Sequence, residues 1–75
     1  MAGYYFSAAL DNDTTICLAP LSDRRLELSG EDLTDTSGYF LYTVHHGAQP
    51  EAVEILARVQ SEDAAWRLKG MFGLS

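Results

Sequence analysis

The run YFLYTV, at residues 39–44, constrains the fold more than any other stretch of this sequence. Successive side chains of a β-strand point to opposite faces, and this run is apolar, aromatic or β-branched on both. The two faces carry Phe40, Tyr42 and Val44 on one side and Tyr39, Leu41 and Thr43 on the other. A strand of this kind lies in the centre of its sheet or has other elements packed on both of its faces. The chain is therefore expected to build a sheet around it.

The residues before this run predict a β-hairpin. Residues 4–10 place apolar side chains on one side if extended, and residues 15–19 supply the returning strand. Between them, the sequence DNDT at residues 11–14 has the Asp and Asn side chains that favour a turn. Pro20 is expected to end the second strand, because proline lacks the N–H donor that a sheet requires.

A third strand is predicted at residues 24–29. The sequence RRLELS alternates, with Leu26 and Leu28 facing inward and Arg25 and Glu27 facing outward, which is typical of an antiparallel strand with one wet face. The polar residues 29–38 are then predicted to form a connection.

After Gly47 the apolar pattern becomes helical. Pro50 suits the first helical position, and Glu51 and Glu54 suit the positive end of a helix dipole. The apolar residues that would share one stripe are Ala52, Val53, Ile55, Leu56 and Val59. These features predict a helix over residues 50–59.

A second helix is predicted to begin after Ser61. This serine is followed by Glu62 and Asp63, as in an N-cap with an acidic first turn, and Gly70 or Gly73 is expected to end the helix. The fold class predicted from these elements is α+β. A small antiparallel sheet of three or four strands is followed by two C-terminal helices packed on one face, as a single small α+β domain over residues 1–75.

Charge and composition argue against direct binding of nucleic acid and against membrane attachment. The chain has five basic and eleven acidic residues, which gives a formal net charge of −6. Recognition of phosphate groups needs clustered Lys and Arg. The first ten residues lack a basic n-region, and their apolar run is too short for a signal peptide or a membrane span. Cys17 has no partner for an internal disulfide. A cytoplasmic protein is expected.

His45 and His46 form one candidate site. On a strand, neighbouring side chains point to opposite faces, so the pair does not converge on one metal ion unless the strand has ended. No HExxH or paired-cysteine spacing supplies further zinc ligands. No catalytic residue, metal or cofactor is therefore assigned. Histidine titrates near physiological pH, so acid–base chemistry at either residue stays open beside a purely structural role at the strand end.

Trp66 is the other candidate. If Ala65, Leu68 and Phe72 face inward, Trp66 lies on nearly the opposite side of the second helix. There it either covers a neighbouring element of its own chain or contacts a partner, since tryptophan is enriched at protein interfaces.

Two functional hypotheses follow, and no motif of a known family is identified. The first is a small acidic protein-interaction or regulatory module, with self-association as one form, in which Trp66, His45 and His46 bind the partner. The alternative is a small enzyme or ligand-binding domain that uses His45 or His46 at the strand–helix junction. The first is preferred because the sequence carries no catalytic signature.

Overall fold

A computed structural model describes residues 4–75 of the chain. The elements in chain order are β1 (Phe6–Ala9), β2 (Thr14–Pro20), α1 (Asp23–Ser29), β3 (Tyr39–His45), β4 (Ala52–Val59) and α2 (Glu62–Phe72). Residues 1–3, part of the segment in which no signal peptide is expected, lie outside the described residues.

The four strands form one antiparallel sheet in the order β1-β2-β3-β4. The α+β class and the antiparallel sheet are therefore confirmed. The predicted order of elements is wrong, because α1 lies between β2 and β3 and only α2 follows the sheet. The chain runs as two successive strand–strand–helix units.

The two helices lie on opposite faces of the sheet, so the prediction that both pack on one face is also wrong. On the α2 face, Ala65 joins a buried cluster with Leu18 and Leu41. On the α1 face, Leu26 and Leu28 of α1 pack against a second cluster, whose buried members are Cys17, Leu21, Phe40, Tyr42, Val44 and Val53. Every residue of β3 except His45 is buried, which confirms that residues 39–44 form a central strand covered on both sides.

The predicted N-terminal hairpin is confirmed. Leu10 N–H donates to Thr14 O at 2.9 Å, and Asp13 N–H donates to Asp11 Oδ1 at 2.8 Å. This second bond holds the pKa of the Asp11 carboxyl below its usual range, because the N–H stabilises the charged form. The turn is thus built from the side-chain to backbone bonds that Asp favours.

The predicted strand at residues 24–29 is wrong, because these residues form the helix α1. Ser22 Oγ accepts a hydrogen bond from Arg25 N–H at 3.1 Å at the start of the helix. Gly30, with φ of +73°, ends the helix in the left-handed conformation that glycine adopts at low cost. Serine and glycine therefore cap a helix that is only seven residues long.

The predicted helix over residues 50–59 is wrong as well, because residues 52–59 form the edge strand β4. The register pairs Ile55 with Tyr42 and Ala57 with Leu41, so Leu56 is an extra residue at a β-bulge. The bulge shifts the alternation, and the apolar residues before and after it are buried on different faces.

The prediction of a helix capped by Ser61 is confirmed by α2. Ser61 Oγ accepts from Ala64 N–H at 3.1 Å, and Gly73, with φ of +67°, ends the helix. Leu74 is then buried on the α2 face. Ser75 exchanges two backbone hydrogen bonds of 3.1 Å with Ser7, and so occupies the middle of the β1 edge of the sheet.

Candidate functional site

Trp66 packs against β1 and is still partly open to solvent. Its ring centroid lies 5.2 Å from that of Tyr4 and 5.1 Å from that of Phe6, both in edge-to-face geometry. Tyr4 and Phe6 stack on each other at 5.8 Å. The indole nevertheless keeps 44% of its surface exposed. We call Tyr4, Phe6 and Trp66 the aromatic patch.

Two further contacts hold the aromatic patch in place. Tyr4 N–H donates to Tyr39 Oη at 2.9 Å, which ties the start of the described chain to the buried end of β3. Lys69 Nζ lies 5.3 Å from the centroid of Phe6 and 5.4 Å from that of Trp66, within the range of cation–π attraction. The patch is therefore a preformed surface on the side of the sheet that α2 covers.

The two histidines lie at the other end of the sheet, and their side chains point to opposite faces. His45 Nδ1 is 3.3 Å from Thr14 Oγ1, and its Nε2 is 3.3 Å from Thr43 Oγ1. His46 instead contacts Thr15, whose side chain points to the other face because it follows Thr14 in β2. The structure brings the histidines together neither with each other nor with the aromatic patch.

His46 is the centre of an ordered polar chain. Its Nε2 lies 3.0 Å from Thr15 Oγ1, and its Nδ1 lies 2.5 Å from Glu51 Oε2. The backbone N–H of His46 donates to Asp13 O at 2.6 Å, which fixes the residue beside the hairpin turn. A hydroxyl, an imidazole and a carboxylate thus follow each other in hydrogen-bond contact. The imidazole and the carboxylate are each more than two-fifths exposed.

A second polar cluster lies on the α1 face, where the sequence indicated no site. Arg25 Nη1 donates to Tyr42 Oη at 3.0 Å, and the guanidinium carbon lies 5.6 Å from the centroid of the same ring. Tyr5 Oη is 3.3 Å from Cys17 Sγ on the same face of the sheet. The hydrogen bond with Cys17 raises the pKa of Tyr5, and burial raises the pKa of Tyr42.

The connection between α1 and β3 is held to the edge strand by Asp35. Arg58 Nη2 lies 3.0 Å from Asp35 Oδ2, while Ser37 donates its hydroxyl to Asp35 Oδ1 at 2.7 Å and its backbone N–H at 3.0 Å. These bonds to Ser37, followed by those to Arg58, lower the pKa of the Asp35 carboxyl to about 2.

The sequence could not group these residues in advance. Thr15 and Glu51 come from β2 and from the segment before β4, and only the strand register places both beside His46. The alternation at residues 24–29 predicts Arg25 on the solvent-exposed face of a strand, whereas α1 directs it toward Tyr42. The sequence feature that indicates the helix is Ser22 followed by Gly30, because these residue types are typical of the two ends of a helix.

Within residues 4–75 there is no group of three or more His, Cys, Asp or Glu side chains placed to hold a metal ion, and no pocket. Neither described helix has the length and apolar character needed to cross a membrane. No protein-family model matches the chain, and searches of curated proteins and of solved structures find no significant match.

Proposed function

We propose that this protein is a small acidic interaction module that acts by self-association through the aromatic patch. The observation that carries the proposal is the state of Trp66, which is held between two ring contacts and a lysine yet is 44% exposed. An apolar surface of this kind is stabilised when a second protein surface removes it from water.

Preorganisation supports this use of the patch. Binding costs conformational entropy for every side chain that must become ordered at the interface. Here Trp66 is already restrained by Tyr4 and Phe6, so little additional freedom is lost on contact. Tryptophan and tyrosine are also the residues most enriched among those that dominate interface energies.

The charge distribution is compatible with pairing at this place. The chain has a net charge of −6, which opposes the approach of two copies in general. Lys69 lies over the rings of the patch and reduces the negative potential there. Salt screens the remaining repulsion, so we expect association to strengthen as ionic strength rises.

Sedimentation velocity over a range of protein concentrations, with Trp66 emission recorded in parallel, tests the proposal. We expect the sedimentation coefficient to rise with concentration and the emission to shift to shorter wavelength as the indole leaves water. Trp66→Ala should abolish the rise, whereas Met71→Ala, a control at another exposed apolar residue of α2, should preserve it. A monomer at every concentration, with constant Trp66 emission, contradicts the proposal.

A second candidate function is favoured by the Thr15–His46–Glu51 chain. A hydroxyl next to a base, with the base oriented by a third group, is the arrangement that activates nucleophiles in acyl transfer. In such a reaction His46 Nε2 takes the proton of the Thr15 hydroxyl, Thr15 Oγ1 bonds to the acyl carbon, and Glu51 stabilises the imidazolium. The bond between the acyl carbon and the alkoxy oxygen of the ester then breaks, and this oxygen leaves as the alcohol with the proton that His46 took from Thr15.

This second candidate is tested with 4-nitrophenyl acetate as the acyl donor. We expect mass spectrometry to find an acetyl group on Thr15, and His46→Gln to lower the acetylation rate by about a hundredfold, the usual contribution of a general base. His45→Gln is the matched control, because its side chain lies on the other face. Equal acetylation in wild type and His46→Gln rules out this candidate function.

A further inference from the structure

One side of α2 carries Glu62, Trp66, Lys69 and Gly70 in a single row. Residues three and four apart lie next to each other on the surface of an α-helix, so these four follow one another along it. Trp66 is 44% exposed, and Glu62 and Gly70 are exposed as well. A Cβ at Gly70 would meet no atom of another element within 4 Å, so the surface beside the indole is open. We call these four residues the α2 stripe.

The two charges of the α2 stripe have no ion partner in their own chain. Among residues 4–75, no basic side chain lies within 4 Å of the Glu62 carboxylate, and no carboxylate lies within 4 Å of Lys69 Nζ. Asp63 and Arg67 of the same helix instead pair with each other at 3.9 Å. Lys69 lies over the rings of the aromatic patch. Since an ammonium group has three N–H donors, donors remain for a carboxylate.

The order of these charges along α2 is complementary to that of a second, antiparallel copy. At the usual rise of an α-helix, Glu62 lies about 6 Å before Trp66 along the axis and Lys69 about 4.5 Å after it. When two α2 helices run antiparallel with their indoles adjacent, Glu62 of each copy therefore lies beside Lys69 of the other. Parallel helices would place like charges together, which is unfavourable. The antiparallel arrangement also brings opposite ends of the two helix dipoles together.

We infer that the self-associated form is a two-fold dimer in which the α2 stripes of two copies pack antiparallel. Trp66 lies at the centre of this interface, and Glu62 of one copy pairs with Lys69 of the other at each end. The inference rests on the proposed self-association and adds the surface and the orientation of the second copy. The aromatic centre supplies most of the binding energy, while the charged pairs at the rim fix the register.

Charge reversal at the two ends of the α2 stripe tests the arrangement by sedimentation equilibrium of the full chain. We expect Glu62→Lys and Lys69→Glu each to weaken association by about tenfold, because both pairs of the dimer become repulsive at once. An equimolar mixture of the two variants should associate within about threefold of wild type, because every mixed dimer again has opposite charges at both ends. Arg67→Glu makes the same charge change as Lys69→Glu on nearly the opposite side of α2, so it should associate as wild type does.

A second measurement uses the wild-type chain and therefore does not depend on the folding of a variant. Lys69 is the only lysine of the sequence. Carbodiimide coupling, which joins a carboxylate and an amine in contact, should give a covalent dimer with an amide between Glu62 and Lys69, identified by mass spectrometry. Within one copy these residues are about 10 Å apart along the helix axis, too far for this reaction.

Failure of the arrangement and failure of the proposed function give different results. If wild type associates through Trp66 but the mixture does not recover, the antiparallel arrangement is overturned, while the aromatic patch keeps its proposed role. Equal weakening by Arg67→Glu and Lys69→Glu, or a covalent dimer without the Glu62–Lys69 amide, has the same meaning. A wild type that stays monomeric at every concentration contradicts the proposed function and the inference together.

Discussion

The indole of Trp66 meets the ring of Tyr4 edge to face, with 5.2 Å between ring centroids and 69° between ring planes. Because Tyr4 supports one side of the indole, we expect Tyr4→Ala to weaken self-association by about two- to tenfold, the range that corresponds to the 0.5–1.5 kcal/mol assigned to such aromatic pairs. Sedimentation velocity measures the change. Tyr4→Phe keeps the ring and should associate like wild type; equal loss in both variants would contradict a role for the ring contact.

Gly70 and Gly73 are predicted to respond to alanine in opposite ways. A Cβ at Gly70, inside α2, meets no atom within 4 Å, so Gly70→Ala should stabilise the protein by about 0.5–1 kcal/mol through helix propensity. Gly73 has φ of +67°, and Gly73→Ala should cost about 1 kcal/mol. Urea denaturation gives both values, and changes of the same sign would be inconsistent with this account.

Leu18 lies in the middle of β2 with its side chain fully buried on the α2 face. We expect Leu18→Ala to lower the free energy of unfolding by about 2–5 kcal/mol, since it removes buried methyl groups and leaves a cavity. Leu10→Ala is the matched control at a residue that is 59% exposed, and it should change stability by no more than about 0.5 kcal/mol. Thermal or urea unfolding of both variants checks the contrast.

Asp35 is expected to make stability depend on acid pH. Its pKa of about 2 lies below that of an unfolded aspartate, near 3.9, so the ionised carboxylate favours the folded state. This contribution is complete above about pH 4 and is lost as the pH falls through 2. Comparing the free energy of unfolding of wild type and Asp35→Asn between pH 2 and pH 5 measures it. The wild-type advantage should shrink as the pH falls, and a constant difference would refute the assignment.

Sequence patterns succeeded where one local signal dominated. The two-sided apolar run at residues 39–44, the DNDT turn and the Ser61 cap each correspond to the element that the structure contains. In each of these places, local residue chemistry and tertiary packing favour the same conformation, so no long-range information is needed.

The two wrong elements failed for different physical reasons. The alternation at residues 24–29 is typical of a strand, but Ser22 before it and Gly30 after it cap a helix, and these caps decide the conformation. At residues 52–59 the bulge at Leu56 puts Val53 and Val59 on different faces, which imitates a helical period in the sequence. Pairing with β3 then decides the conformation, and that pairing is not local.

The candidate sites were predictable only in part. The helical pattern correctly places Ala65 on the buried side of α2, but Phe72, which was expected to face inward with it, is half exposed, and the role of Trp66 at an interface stays a prediction. The partners of His46 and Arg25 come from other elements, and their contacts depend on strand register and on the face that α1 covers. The strand register and the face that α1 covers cannot be predicted from the sequence before the fold is known.

The backbone pairing of Ser75 with Ser7 makes the two borders of the sheet unequal. A strand from a neighbouring molecule meets an occupied position beside β1, whereas β4 offers unpaired groups along its length within residues 4–75. Addition of a strand beside β1 would therefore require Ser75 to leave its two hydrogen bonds with Ser7, a cost that does not arise beside β4. At the β4 border the charged side chains Glu54 and Arg58 are the features that oppose pairing with another strand.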